Sequence, residues 1–191
     1  AEEHAAHILM PTAPGPENLE VRFVGDYKVD DGRYANNGWL QECPDPITKT
    51  TWDNAVLISP RLAAELGIEP GNSMIQVARK DPNAGEDGRL RTQFVQVTVN
   101  GLTVEGPVQI QPGLDNYTLV LPLGYGRSKT GRIGTGAGFN AYTIRTSDQP
   151  WVVPGAKITL TNRSFVLANT QEHWSMEGRA IVREANLDDF H

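Results

Sequence analysis

Hydrophobic and polar residues alternate over several short stretches of the chain, which is the pattern of half-buried β-strands. The alternation is clear over residues 19–24 and again over residues 95–99. Asn100 and Gly101 follow the second stretch and form a pair that is typical of a type I′ turn between two strands. The pattern therefore predicts a β-hairpin whose return strand begins at Leu102.

Further strands are predicted along the chain, and most of them are bounded by glycine or proline. Gly106-Pro107 is expected to break the return strand of the hairpin, and Pro112-Gly113 is expected to end the strand that follows. The residues predicted to form the other strands are 75–77, 108–110, 117–123, 155–161 and 164–167. Roughly six to eight short strands indicate a β-barrel or a β-sandwich.

One helix has clear boundary signals in the sequence. Ser59 is suited to be its N-cap, and Pro60 occupies the first helical position, where a missing N–H costs nothing. Gly67 is expected to end the helix just after its C-cap. The chain is therefore predicted to be mainly β, with one or two short helices.

The composition divides the chain into three parts. Residues 1–18 are rich in proline and are predicted to be an extended lead-in. Residues 19–170 hold most of the predicted elements and are assigned to one barrel domain, and residues 171–191 form a polar C-terminal extension. The 19 glycines and 13 prolines among 191 residues agree with a domain that contains many turns.

Charge and cysteine content argue against several classes of function. The net charge of −6 argues against nucleic-acid binding, which needs a basic surface. Cys43 is the one cysteine, so an internal disulfide is excluded, and an iron–sulfur cluster, which takes about four thiolates, is not expected in this chain.

No apolar run approaches the ~18 residues of a membrane span, and no signal peptide is expected from the first residues.

The richest candidate segment is 123–142, which combines six glycines with Arg127, Lys129 and Arg132. Glycine allows a backbone to approach a ligand closely, and basic groups suit a phosphate. The segment lacks the lysine and hydroxyl of a Walker A loop, and it lacks the third glycine of a dinucleotide fingerprint. Three interpretations stay open: a loop that crosses one end of a barrel, a site for an anionic or pterin-like ligand, and a contact with a protein partner.

Other chemically active residues have simpler interpretations. Cys43 lies between Glu42 and Asp45, but no histidine is close in sequence to activate it, so a buried or merely free thiol is expected. His4 and His7 would share one face of a helix, but they lie in the lead-in, where a solvated terminus is expected and not a metal site. Neither catalytic residues nor metal ligands are predicted.

The order of these features resembles a known family. The carboxy-terminal molybdopterin-dinucleotide-binding domain of the molybdopterin oxidoreductases is similar to PRLAAELGIEPGN followed by a strand, a hairpin and TLVLPLG, with Asn72 in place of the usual aspartate. Three segments of the chain are similar to the molybdopterin-like region in the iron–sulfur subunit of alternative complex III, which is a bacterial quinol:acceptor oxidoreductase. These segments are NNGWLQECPDPITKTTWDN, LPLGYGRSKTGRIGTGAGFNAYTIR and HWSMEGRAIVRE. The resemblance extends from about Asn18 to Phe190.

The resemblance implies a fold, a location and a set of partners. The implied fold is a double-psi β-barrel of the aspartate-decarboxylase-like kind. The iron–sulfur clusters of such a subunit would lie in a region downstream of this chain. The partners would be other domains of the parent subunit and other subunits of a membrane-associated complex, on the extracytoplasmic (periplasmic) face of the bacterial inner membrane.

The resemblance also nominates six residues for a molybdopterin cofactor. They share polar or aromatic side chains that can bind a pterin or a pyrophosphate, and they are Asn37, Trp39, Gln41, Arg127, Lys129 and Asn140. In the iron–sulfur subunit branch the corresponding region is thought to have lost the cofactor, so these residues are expected to fix loops or to meet neighbouring domains.

Three functions are therefore considered for the chain. The first is a non-catalytic structural and docking barrel, with no cofactor and no redox activity of its own. The second is part of the cofactor site of an active molybdopterin oxidoreductase, which shares molybdopterin dinucleotide with other domains. The third is an independent barrel that binds a small ligand.

Overall fold

Six β-strands form the frame of the protein in a computed structural model that describes residues 13–68, 91–170 and 186–187. The strands are β1 (Leu19–Val24), β2 (Val56–Ile58), β3 (Thr92–Val99), β4 (Leu102–Ile110), β5 (Thr118–Pro122) and β6 (Val152–Phe165). The helices are α1 (Gly38–Glu42), α2 (Pro60–Glu65) and a 3-10 helix (Ala141–Ile144). The strand predicted at 75–77, the four histidines and most of the C-terminal extension lie outside the described residues.

The strands close into a mixed barrel in the order β1-β5-β2-β4-β3-β6, with β6 returning to β1. β1 pairs with β5 in parallel, β2 pairs with β4 in parallel, and the other four pairings are antiparallel. The prediction of a mainly β chain is confirmed, and the described residues contain two short α-helices and one 3-10 helix where one or two short helices were predicted. Since a closed barrel has no free sheet edge, every strand finds its backbone partners within the domain.

The core fills the interior of the barrel with aliphatic side chains from alternate strand positions. Val21, Val97 and Leu119 have no exposed surface. Val21 and Val97 lie in stretches where apolar and polar residues alternate, because successive side chains on a strand point to opposite faces, whereas Leu119 lies in a run of apolar residues. Val56, Ile58 and Leu62 extend the core to β2 and α2. This confirms the alternating pattern as the signal that sets the interior of the domain.

One predicted turn and the predicted boundaries of α2 are confirmed by backbone geometry and hydrogen bonding. Asn100 and Gly101 both have positive φ, 51° and 74°, as a type I′ turn between β3 and β4 requires. Ser59 caps α2, since its side chain accepts a hydrogen bond from the backbone N–H of Leu62 at 3.1 Å. Gly67 follows the helix with a φ of 69°, as expected for the residue after a C-cap.

Some strand boundaries were predicted wrongly. β4 continues through Gly106 and Pro107, which pair with β3 at Val95 and Phe94. Pro107 lies where β4 leaves β3 and begins to pair with β2, so its missing N–H falls at the end of one ladder. A β-carbon at Gly106 would lie 2.6 Å from the ring of Phe139, so this glycine provides space and does not break the strand.

β6 is one long strand, although two strands were predicted at 155–161 and 164–167. Pairing with β3 continues past the polar residues near Asn162, because Ser164 and Phe165 pair with β3 after a local shift of register. Two short elements were not predicted as such. β2 has three residues, too few to form a periodic pattern, and α1 is a five-residue helix with Asn37 as its N-cap.

No helix in the described part of the chain is long and apolar enough to cross a membrane.

Core packing should account for much of the barrel's stability. Leu121 has no exposed surface in β5, so Leu121→Ala should lower the free energy of unfolding by about 3 kcal/mol, through lost burial and a residual cavity. Leu102 is 41% exposed at the start of β4, so Leu102→Ala should change it by less than about 0.5 kcal/mol. Urea unfolding followed by circular dichroism measures both, and equal losses would contradict the assigned barrel interior.

Candidate functional site

The glycine-rich segment 123–140 lies against the segment 25–54 at one end of the barrel. Both segments begin there because β1 and β5 are parallel, and their last residues, Val24 and Pro122, are register partners. The two segments are joined by side chains that bind backbone groups. The guanidinium of Arg127 donates to the carbonyl of Asp31 at 2.6 Å. The segment is therefore a layer that crosses the barrel end, as one of the three open interpretations proposed.

Asn54 is the most heavily bonded side chain between these segments. Its Nδ2 donates to the carbonyls of Pro122 and Phe139, at 2.9 and 3.1 Å, and its Oδ1 accepts from the backbone N–H of Phe139 at 2.9 Å. The residue is 2% exposed. An unpaired amide at this depth would lose much of its hydration without compensation, so all three bonds matter for the fold. Asn54 therefore fixes both ends of the glycine-rich segment to the segment before β2.

The glycines of this segment are explained by contacts within the chain. Gly126 has a φ of 70°, and a β-carbon there would collide with the backbone of Asn140. Gly131 has a φ of 106°, and a β-carbon there would collide with the side chain of Asn36. The close approach that glycine permits is therefore an approach of the protein to itself at these two positions.

The six residues nominated for a cofactor occupy different environments. Asn37 caps α1 by accepting from the N–H groups of Trp39 and Leu40, and Asn140 caps the 3-10 helix. Gln41 is fully buried, and its Nε2 donates to the carbonyl of Ala35 at 2.9 Å.

The remaining nominated residues differ in exposure. Arg127 is half-buried on the Asp31 carbonyl, whereas Trp39 and Lys129 are exposed. Asn37 and Trp39 share one shallow depression of the surface, while Gln41 lies beneath the surface.

Several of these side chains are already bonded within the chain. A pyrophosphate needs several cationic or N–H donors that converge on one point. Arg127 already donates to backbone, and the side-chain oxygens of Asn37 and Asn140 accept from backbone N–H groups. The one buried polar atom among the six without a partner in the described structure is Oε1 of Gln41, which is an acceptor. Arg127, Asn37 and Asn140 therefore already use their side chains within the chain, and no chemical step follows from the six residues.

A cavity of about 510 Å³ lies elsewhere, against the outer face of β1, β5 and β2. Its floor includes the outward-facing side chains of Val24, Leu57 and Val120, which sit on three adjacent strands. Its polar lining includes Asp26 and Asp53 from the segments that follow β1 and precede β2. Sequence reasoning missed this cavity, because its lining comes from five separate parts of the chain.

Lys28 is the unusual residue of the cavity lining, because it is 6% exposed. Its Nζ donates to the carbonyl of Thr50 at 3.0 Å and lies 5.3 Å from the ring centroid of Tyr125. Burial lowers the pKa of Lys28, and the charges of Asp26, Asp45 and other nearby acidic groups oppose that change. The ammonium is therefore held by a carbonyl, a ring and carboxylates together.

The nearby acidic groups are also affected by burial. Burial raises the pKa of Asp26, opposed by the charge of Lys28 and by the backbone N–H groups of Val29 and Lys28. Burial raises the pKa of Asp53 to about 6, opposed by a hydrogen bond from Gly138 and by the charge of Lys28. The hydroxyl of Tyr125 has no partner in the described structure, and burial raises its pKa as well.

The charged groups around Lys28 have the features of a structural network more than those of a reaction centre. Asp26 and Asp45 each accept from two backbone N–H groups through one oxygen and so close local turns. Among the described residues, no group of three histidine, cysteine, aspartate or glutamate side chains is placed to hold a metal ion. Cys43, expected to be a buried or merely free thiol, is free and exposed.

No protein-family model matches the chain, and no curated protein is significantly similar to it.

The elevated pKa of Asp53 predicts a pH effect on stability. The carboxyl has a pKa of about 6 in the folded chain and an ordinary value of 3.8, so ionisation is less favourable in the folded state. Asp53 therefore destabilises the fold as the pH rises from roughly 4 to 6. Asp53→Asn cannot ionise and keeps an acceptor for the N–H of Gly138. The melting temperature of the variant should be higher than that of the parent at pH 7, and the two should be equal at or below pH 4. Equal melting temperatures at pH 7 would contradict the elevated pKa.

Proposed function

We propose that the chain is a double-psi β-barrel that serves as a non-catalytic docking domain in an electron-transfer complex. The complex would be a respiratory, quinol-oxidising assembly, and the parent would be a molybdopterin-oxidoreductase-like iron–sulfur subunit similar to that of alternative complex III. The domain would hold the cluster-bearing region of its parent subunit in place and contact other subunits, on the extracytoplasmic face of the bacterial inner membrane.

The strand arrangement supports the double-psi assignment. Barrels of this kind have six strands in a closed, mixed sheet that contains parallel pairs. Here the parallel pairs are β1–β5 and β2–β4, and they are joined side by side through the antiparallel β2–β5 pairing. The capped helix α2 is followed by the β3–β4 hairpin and then by β5, in the order of the resembled motif.

The observation that carries the docking role is how the glycine-rich segment is used. Arg127 donates to the Asp31 carbonyl, Asn36 accepts from the backbone N–H of Ile133, and Asn54 binds both N–H and carbonyl of Phe139. Arg127, one of the residues nominated for a cofactor, is therefore bonded to the chain itself. This supports a barrel whose loops are maintained for structure and contact, with no cofactor of its own.

A second candidate function is supported by the cavity on β1, β5 and β2. Its volume of about 510 Å³ is within the range of small-molecule sites, and it combines an apolar floor with buried charged groups. An independent ligand-binding barrel would use this cavity. The interpretation is weaker, because Lys28, Asp26 and Asp45 are already bonded within the chain.

Metal and chromophore content test the docking role against a cofactor-binding role. The protein that carries this chain, purified from its own cells, should contain no molybdenum by elemental analysis of this subunit. The isolated chain should have no visible iron–sulfur or flavin absorbance and no redox activity. Stoichiometric molybdenum or pterin in the subunit would overturn the proposal and favour the cofactor-binding alternative.

Variants of Arg127 and Lys129 test whether each of these two cations stabilises the fold or is free to bind a ligand. Arg127→Ala removes a charged hydrogen bond to a backbone carbonyl, so the free energy of unfolding should fall by about 2 kcal/mol. Lys129 is exposed and forms no ion pair with any described residue, so Lys129→Ala should change it by less than about 0.5 kcal/mol. Chemical denaturation of the two variants measures the difference. An Arg127→Ala variant as stable as the parent would remove the structural role assigned to this residue.

A further inference from the structure

Large apolar side chains are exposed where the glycine-rich segment meets α1. Trp39 is 86% exposed, Tyr34 is 50% exposed and Ile133 is 41% exposed. Tyr34 and Trp39 line the same shallow depression, and a β-carbon at Gly38 would lie 3.7 Å from Cγ2 of Ile133. Exposed apolar groups that lie singly need no explanation, but a cluster that includes tryptophan marks an interaction surface.

The backbone beneath this cluster is fixed by hydrogen bonds. The side chain of Asn37 accepts from the N–H groups of Trp39 and Leu40 at 3.1 and 3.3 Å and so starts α1. Oδ1 of Asn36 accepts from the N–H of Ile133 at 3.0 Å and ties the glycine-rich segment to the same stretch of chain. A surface built on such a backbone loses little freedom when it binds, which favours tight association.

The charge of this surface differs from that of the whole chain. Residues 116–147 contain no aspartate or glutamate, although the protein has a net charge of −6. Lys129 and Arg132 are exposed and form no ion pair within the ranges that the structure describes. The nearby carboxylates of Asp30 and Asp31 are paired with Arg33, at 3.3 and 2.9 Å. The exposed cations are therefore available to a partner.

We propose that these residues form a docking surface for another protein subunit, which presents an apolar patch flanked by aspartate or glutamate. The surface, called the loop face, consists of Tyr34, Trp39, Lys129, Arg132 and Ile133. The inference rests on the proposed docking function and names the surface that carries it. Trp39 would be the buried anchor, and the two cations would pair with carboxylates at the rim and orient the partner.

A protein partner fits the loop face better than a lipid surface. Electrostatic membrane binding uses clusters of roughly four to eight basic residues, whereas this face has two unpaired cations, Lys129 and Arg132. The net charge of −6 would also repel an anionic leaflet. Tryptophan, tyrosine and arginine together are the residues that dominate protein–protein interfaces.

The first test measures the contribution of the aromatic anchor. The protein is tagged, purified from its own cells with its associated subunits, stripped of them and rebound to them. Trp39→Ala should weaken rebinding by about 30-fold, the effect of truncating a central interface residue. Tyr27→Ala is the matched control, because Tyr27 is 74% exposed but lines the separate cavity, and it should change affinity by less than about 3-fold. Thermal melting checks that both variants are folded.

The second test locates the partner's carboxylate. A carbodiimide joins a lysine amine to a nearby carboxylate as an amide with loss of water. In the intact assembly, mass spectrometry should find Lys129 joined to an aspartate or glutamate of a different polypeptide. Lys129→Arg keeps the charge but has no reactive amine, so the cross-link should disappear while the subunits still purify together.

The outcomes separate this inference from the proposed function. If subunits purify with the protein but Trp39→Ala rebinds normally and Lys129 is not cross-linked, the loop face is overturned and the docking role stands. If no subunit purifies with the parent protein, both are overturned. If the isolated chain binds phosphatidylserine vesicles and Lys129→Glu abolishes that binding, the partner is a lipid surface and the proposed protein partner is overturned.

Discussion

The side chain of Asn54 is the interaction on which the barrel end depends. One buried amide bonds to the carbonyl of Pro122 at the end of β5 and to both backbone groups of Phe139, and so joins three separate parts of the chain. No smaller or apolar residue can supply two donors and an acceptor in that geometry. Gly138 is drawn so close to Asn54 Oδ1 that a β-carbon there would collide with it. The interpretation of the glycine-rich segment as structure follows from this clamp, because the segment's close contacts are already made with the protein itself.

The strand order explains why such a clamp is needed. Parallel pairing of β1 with β5 brings the ends of both strands to the same side of the barrel, so the long segments after them must share that side. Each segment carries backbone groups that cannot be buried without partners. Asn36, Asn37, Asn54 and Asn140 provide those partners through side-chain amides, which accept or donate to backbone while adding no charge. The asparagines and glycines of this region therefore form one packing arrangement.

The sequence predicted the features of this fold that depend on local physics. The alternation in β1 and β3, the Asn100-Gly101 turn and the Ser59 cap were all read correctly, since each is determined by a few neighbouring residues. The sequence did not predict that β4 and β6 are continuous. Whether Pro107 interrupts a strand depends on which neighbouring strand it pairs with at that position. Nor could the sequence reveal the burial of Lys28, whose partners Thr50 and Tyr125 come from distant segments. The six residues nominated for a cofactor came from the family resemblance, and a resemblance does not show whether a side chain is already bonded within the chain.

The two candidate surfaces of the domain differ in how their charges are used, and this difference favours docking over ligand binding. At the cavity the charged groups interact with one another. The ammonium of Lys28 contacts the carbonyl of Thr50 and the ring of Tyr125. The charges of Asp26 and Asp45 oppose the effect of burial on the pKa of Lys28. These charged groups already interact with groups of the same chain, so a small ligand would have to compete with those contacts. At the loop face the opposite holds, because Lys129 and Arg132 are exposed and have no ion pair in the described structure. Coulomb interactions there are still available to a partner, and they gain strength when an apolar contact around Trp39 excludes water. A domain that neutralises charge in its cavity and leaves it free on a segment that contacts the start of α1 is better suited to binding a protein surface than to holding a small molecule.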